Sequence, residues 1–295
     1  MKPNPQFTQQ SHEFWSCVKL ISQKIGYAKK GNVLIPTPME VSIVFNELEL
    51  SSDLIITNGQ LTEFGILLFE YFKFRADLLN NEVQHNLMDV DNAKALFEQL
   101  QQQHKPKCPL PMNKQSGEKK AIAFFTAIIN TLIEASVNGI STVYDPRQIT
   151  AFTKNNFPAR SLSRRVDGSF PDEINPIAIW EIKEYYYTTT FGSRIADGVY
   201  ETMLDGYELA DARKIIERPI FHYLMIDSHR TWWKMGISYL CRIVDMLHMG
   251  LITECLVGKE VVTRIPEIVA EWLDIYEKHK DEYKGKSPEL TLTAS

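Results

Sequence analysis

The tripeptide Glu181-Ile182-Lys183 closes an apolar run, Pro176-Ile177-Ala178-Ile179-Trp180, that reads as a buried strand. Side chains at i and i+2 share a face, so Glu181 and Lys183 extend the line of Ile177 and Ile179. A carboxylate and an ammonium then stand together where a core strand reaches the sheet edge. Burying them costs several kcal/mol unless they pair or bind metal. Upstream, Val166 to Phe170 reads as a second strand and Pro171 to Asn175 as a turn, which predicts an antiparallel hairpin. A hairpin centred on Ile174 sets Asp167 opposite Glu181. Two carboxylates with a lysine one step away suit Mg²⁺, a hard cation that takes oxygen ligands and keeps several waters. Such an ion lowers the pKa of its bound water and offsets charge on a phosphate, and the lysine can orient or help deprotonate that water. The competing first acid is Asp172 in the literal Pro171-Asp172, nine residues before Glu181, which also reads as a turn cap.

The segment resembles the PD-(D/E)xK motif of the restriction-endonuclease-like nuclease superfamily over roughly residues 117–260. Glu181-Ile182-Lys183 forms the ExK half, and Asp167 lies in Arg165-Val166-Asp167-Gly168, where members often read Arg-Pro-Asp-Gly. The resemblance implies an α/β fold with an αβββαβ core. It also implies hydrolysis of phosphodiester bonds in double-stranded DNA with Mg²⁺, for which Mn²⁺ may substitute, most like a type II restriction endonuclease acting as a homodimer. Asp167, Glu181 and the backbone carbonyl of Ile182 would hold the metal, and Lys183 would assist the water. A further acid is expected on the preceding helix, where Glu134 stands; its alternative is a solvated helix face. Exonuclease-like branches often carry Gln-x-x-x-Tyr on the following helix, and here Met203 occupies the glutamine position before Tyr207. Two other readings stay open. One is a phage-defence or repair nuclease with a structure-specific or RNA substrate. The other is a catalytically silent nucleic-acid-binding module in which Glu181 and Lys183 form a plain ion pair. A companion methyltransferase cannot be inferred from this chain.

Substrate contacts are expected from two stretches. Pro146 to Val166 holds Arg147, Lys154, Arg160, Arg164 and Arg165 and no acid, so Lys154, Arg160, Arg164 and Arg165 are candidate phosphate contacts. Tyr185 to Arg194 (YYYTTTFGSR) follows the ExK strand, and Tyr186, Ser193 and Arg194 are candidates to stack on bases or hold phosphates. The chain as a whole, with 32 Lys and Arg against 37 Asp and Glu, carries −5. Residues 1–103 hold 8 basic and 12 acidic side chains and the remainder 24 and 25, so a basic surface can only be local.

The elements that must position these residues divide the 295-residue chain in two. Residues 1–103 read as a helical domain for dimerisation or DNA recognition, with helices from about Ser11, Thr37, Thr62 and Asp89 or Asp91. Thr37-Pro38-Met39-Glu40 is a capping box with proline at the first helical position. A proline- and lysine-rich linker is expected at 104–116, the nuclease domain at 117–283 and a loose tail at 284–295. The domain should open with a helix from Ser116 to Gly139. After the hairpin come a helix (Ser193 to Ile216), a strand (Pro219 to Asp227), a helix (Arg230 to Met249), a strand (Thr253 to Val257) and a last helix (Ile265 to His279). No membrane span, secretory signal or CxxC pair is evident, and the four separated cysteines fit a reducing cytoplasm. GxxxxGK, HExxH, GxSxG and GxGxxG are all missing.

Overall fold

The computed structural model describes residues 1–115, 118–187, 192–216 and 218–280, with no account of the side chains of 114–120. Expectations for Ser116, for Thr188 to Phe191 and for the 284–295 tail lie outside these residues. The N-terminal unit is built from α1 (His12–Ile25), α2 (Pro38–Glu47) and α3 (Glu63–Leu78), with two small hairpins, β1–β2 (Ala28–Lys29, Asn32–Val33) and β3–β4 (Ile56–Thr57, Gln60–Leu61). The α2 capping box forms as the residues predict: Glu40 N–H donates to Thr37 Oγ1 at 3.3 Å, and Thr37 N–H to Glu40 Oε2 at 2.7 Å. After a π-turn, α3 continues into the single-turn α4 (Gln84–Asn86).

Helix α5 (Val90–His104) corrects the expected domain division. Its stripe of Ala93, Phe97 and Leu100 packs with Phe125, Ile129 and Trp272 in one apolar cluster, so it belongs to the C-terminal unit. Within the expected linker, 105–111 form a loop inside that unit. A hairpin, β5–β6 (Met112–Gln115, Glu118–Ile122), then leads into α6 (Phe124–Ser136), which starts well after Ser116. The reason is tertiary: Glu184 Oε2 accepts from Thr126 N–H and Oγ1–H, both at 3.1 Å, and so caps the helix there.

Five strands make the central sheet: β7 (Val143–Tyr144), β10 (Gly168–Phe170), β11 (Ala178–Glu184), β12 (Phe221–Asp227) and β13 (Glu254–Val257). They lie side by side in chain order, with β10 antiparallel to both neighbours and β11, β12 and β13 parallel. The separate hairpin β8–β9 (Ala151–Lys154, Phe157–Ser161) was not expected from the basic stretch. Helices α7 (Ser193–Arg213), α8 (Ile237–His248) and α9 (Val261–Lys278) complete the unit. The segment expected as one helix from Arg230 is a π-turn followed by α8.

Alternation along the strands sorts the layers. Ala178, Trp180, Tyr223 and Leu256 face α5, α6 and α9, where Trp180 stacks on Trp272 at 5.6 Å. The opposite face carries Ile179, Leu224, Ile226 and Val257 under α7 and α8. The N-terminal unit docks on α8 through a buried pair, Arg75 Nη1 to Asp245 Oδ1 at 3.0 Å, joined by Tyr71 Oη–H at 2.6 Å. Among the described residues no helix is long and apolar enough to cross a membrane.

Candidate functional site

The β10–β11 ladder pairs Gly168 with Trp180, Ser169 with Ile179 and Phe170 with Ala178, a register centred on Ile174. Gly168 is required there, because a Cβ would stand 2.1 Å from two Trp180 ring atoms. One residue beyond the ladder, Asp167 N–H donates to the Trp180 carbonyl at 3.1 Å, and Asp167 Oδ2 accepts from Ile182 N–H at 2.7 Å. Asp167 is thereby clamped against β11 beside Glu181. The N–H and C=O of a strand residue point to the same edge, so the Ile182 carbonyl lies on the Asp167 side. Asp172 sits in the turn, where Oδ1 accepts from Glu173 N–H at 2.7 Å.

Glu181 is fully buried at the centre of an ionic cluster. Lys183 Nζ lies 2.9 Å from its Oε2 and 3.3 Å from Glu201 Oε2. Arg164 reaches Glu181 at 2.9 and 3.0 Å, Asp205 at 2.6 Å and Glu201 at 3.4 Å. Arg164 therefore turns into the cluster instead of out to a phosphate. Its direction is set by the preceding residue: Ser163 N–H and Oγ–H both donate to Glu208 on α7, at 2.8 and 2.5 Å. Glu201 and Asp205 lie one turn apart on α7, and Gly198 lets that helix approach, since a Cβ there would meet Tyr185 Oη at 2.7 Å and Lys183 Cδ at 3.3 Å.

The charges set one another. Burial pushes Glu181 up, but Lys183 and Arg164 together outweigh it and hold the carboxyl below its ordinary range. Burial pulls the Lys183 ammonium down, and Glu181 and Asp167 more than reverse that, so it stays protonated. Asp167 keeps an exposed edge, yet the protein walling its other sides and the Glu181 charge both push its carboxyl up. Asp205, with no exposed surface on its side chain, is pushed up to about 7, mainly by burial. Glu181 Oε1 and Asp205 Oδ1 have no aligned hydrogen-bond partner, although Arg164 is within ion-pair distance of the former. With Asp167, Glu181, Glu201 and Asp205 against Arg164 and Lys183, the fully ionised cluster carries two net negative charges, matching one divalent cation. Among the described residues no group of three or more His, Cys, Asp or Glu is already arranged around a metal position.

Other expected site residues lie elsewhere. Glu134 is outside the cluster; Oε2 accepts from the amides of Lys107 and Cys108 at 2.7 and 3.1 Å, fixing the loop after α5. The basic stretch is largely neutralised, with Arg160 3.7 Å from Glu208 and Arg147 3.0 Å from Asp145. The Tyr186 hydroxyl donates to Asp227 and is not a free edge. Lys154, Arg165, Ser193 and Arg194 remain exposed. Arg164 in its internal role, Glu201 and Asp205 were not foreseen. The i, i+4 spacing of two acids on the helix after the ExK strand is the signal that could have drawn attention to them.

The comparisons with known proteins match the chain in two stretches. Residues 1–82 match the family model described as Domain of unknown function (DUF7690), and residues 88–272 match Domain of unknown function (DUF7687). No curated protein and no solved structure matches the chain. The second match spans well over half of the sequence and holds the whole ionic cluster, so the chain belongs to the DUF7687 family.

Proposed function

We propose that the protein is a Mg²⁺-dependent nuclease that hydrolyses phosphodiester bonds in double-stranded DNA at the β10–β11 edge. The observation that carries this reading is the register, which clamps Asp167 beside Glu181 and Ile182 while Lys183 stands on Glu181. The order α6, β7, β10, β11, α7, β12 also agrees with the αβββαβ core that the PD-(D/E)xK resemblance implies. The donor set fits a hard divalent cation: two carboxylates, a backbone carbonyl, and a cluster whose four acids outnumber its two cations. A Mg²⁺ held by Asp167, Glu181 and the Ile182 carbonyl would supply a more acidic water and charge relief on the phosphate.

The chain's own groups do the rest. Lys183, kept protonated by Glu181 and Asp167, acts as a donor that orients the attacking water rather than as a base. Arg164 holds Glu181, Glu201 and Asp205 in one arrangement and, with Lys183, keeps Glu181 ionised. Exposed Arg165 and Arg194 are the candidate phosphate contacts, with Ser193 at the α7 terminus as a further one; Lys154, next to Asn175 of the turn, lies at the opposite end of the hairpin from Asp167. The finer reading is a type II restriction endonuclease working as a homodimer; phage-defence or repair nucleases differ only in substrate.

A second reading, a catalytically silent module, is favoured by the ion pairs that already surround Glu181. Incubating the purified protein with supercoiled plasmid and Mg²⁺ separates them. Nicking that EDTA abolishes and Mn²⁺ restores supports the nuclease. Unchanged plasmid over a range of DNA and RNA substrates supports the silent module. A discrete fragment ladder, as opposed to a smear, supports sequence-specific cutting.

A further inference from the structure

Helices α1, α7 and α8 meet around a cleft of about 420 Å³, on a different face of α7 from Glu201 and Asp205. That volume lies in the range of small-molecule sites, roughly 300–1,000 Å³, which concentrate where domains meet. Here α1 comes from the N-terminal unit and α7 and α8 from the C-terminal one. The walls are mainly apolar: the rings of Tyr27 and Tyr200, with Met203, Met246 and Met249. Methionines adapt to a planar guest, and the half-exposed Tyr200 offers a ring for stacking, whereas the Tyr27 ring already has the Arg242 and Arg75 guanidinium groups over it at 4.6 and 5.8 Å.

The polar groups give the cleft a sign. Asp245 is the one carboxylate among its described lining residues, and it is already engaged by Arg75 at 3.0 Å and by Tyr71 at 2.6 Å. Lys19 is exposed and meets no acid among the described residues. The Arg242 guanidinium lies over the Tyr27 and Tyr239 rings at 4.6 and 5.1 Å and makes one hydrogen bond, Nη1 to the Ser238 carbonyl at 3.3 Å, which leaves in-plane donors open among the described contacts. Two cations therefore border an aromatic and thioether wall with no free negative charge.

We propose that this cleft binds a small planar aromatic molecule carrying one anionic group, its ring system against Tyr200 and the methionines and its anion toward Arg242 and Lys19. The site stands independently of the nuclease reading, since no residue of the ionic cluster lines it.

The test is a fluorescence titration of the full chain with two probes that differ in the anion. These are 1-anilinonaphthalene-8-sulfonate and the neutral N-phenyl-1-naphthylamine. The expected result is saturable one-to-one binding of both, with the sulfonate favoured about fivefold, the worth of one partly exposed charge contact. In Lys19→Gln/Arg242→Gln the preference should fall to about one while the neutral probe still binds. Lys19→Gln alone, a change at an exposed position, should reduce the preference about twofold. Met203→Trp, which fills the cleft, should weaken both probes. The proposal is overturned by equal affinity for the two probes, by a preference that is undiminished in Lys19→Gln, or by absence of one-to-one saturation.

Discussion

Replacing Gly168 by alanine tests the register on which the site depends. The new Cβ would lie 2.1, 2.1 and 2.4 Å from Cε2, Cζ2 and Nε1 of Trp180. The indole has little room to yield, because it is fully buried and stacked on Trp272 at 5.6 Å and 9°. Trp272 in turn stacks on Phe170, the last residue of β10. Overpacking a core usually costs about 1–3 kcal/mol, and three simultaneous overlaps against a braced ring put this case at the top, about 3 kcal/mol. At about 2–4 °C per kcal/mol for a chain unit of this size, Tm should fall by about 6–12 °C. Calorimetry of Gly168→Ala, Trp180→Phe and the double variant measures this directly. Phenylalanine lacks the benzo ring that carries Cζ2, so the double variant should recover about 1 kcal/mol relative to additivity. A Gly168→Ala shift below about 2 °C, or strict additivity, would refute the pairing of Gly168 with Trp180 and with it the placement of Asp167 beside Glu181.

Other outcomes follow from the same contacts. Burial lowers the His222 pKa to about 4, from an ordinary 6.5. Its neutral form therefore stabilises the fold above pH 6.5, and that contribution, about 3 kcal/mol, is lost as pH falls from 6.5 through 4. The Tm difference between wild type and His222→Gln should accordingly shrink across that window, and a constant difference contradicts it. In DNA binding, Arg165→Gln and Arg194→Gln should each lower the log–log salt slope by about 0.9, whereas Arg160→Gln, already paired with Glu208 and Asp211, should leave it unchanged. Arg75→Met should cost roughly 3–5 kcal/mol by stranding Asp245 in the domain junction, and Arg75→Met/Asp245→Leu should recover most of it, both read as Tm.

The hairpin was legible because its information is local: turn residues at 171–175, an apolar strand and a register with one centre. What stayed hidden depends on where an element packs. Ala93, Phe97 and Leu100 announce an apolar stripe on α5 but not that its partner is α6, and the prolines after it mimic a domain boundary. The β8–β9 hairpin does carry a local signal, Asn155-Asn156 with φ of 53° and 60°, the two-residue turn that suits a hairpin, but the arginines and lysine around it equally suit a phosphate-binding loop. Arg164 looks like any basic residue in sequence; only the fold of 162–166 onto Glu208 reveals that it faces three acids. Glu134 shows the converse, since a helix-face carboxylate can serve a catalytic cluster or cap a loop, and here two amides claim it.

The most direct test of the nuclease assignment is the initial rate of plasmid nicking in Mg²⁺ for wild type, Asp167→Asn and Asp172→Asn, each verified as folded. Asp167 lies against Glu181 and Ile182, whereas Asp172 only bonds the neighbouring amide of Glu173 in the turn. The expected result is EDTA-sensitive nicking by wild type, a loss of at least about 100-fold in Asp167→Asn, and a rate within a few-fold of wild type in Asp172→Asn. Undiminished nicking by Asp167→Asn, or no Mg²⁺-dependent nicking by the wild-type protein, would contradict it.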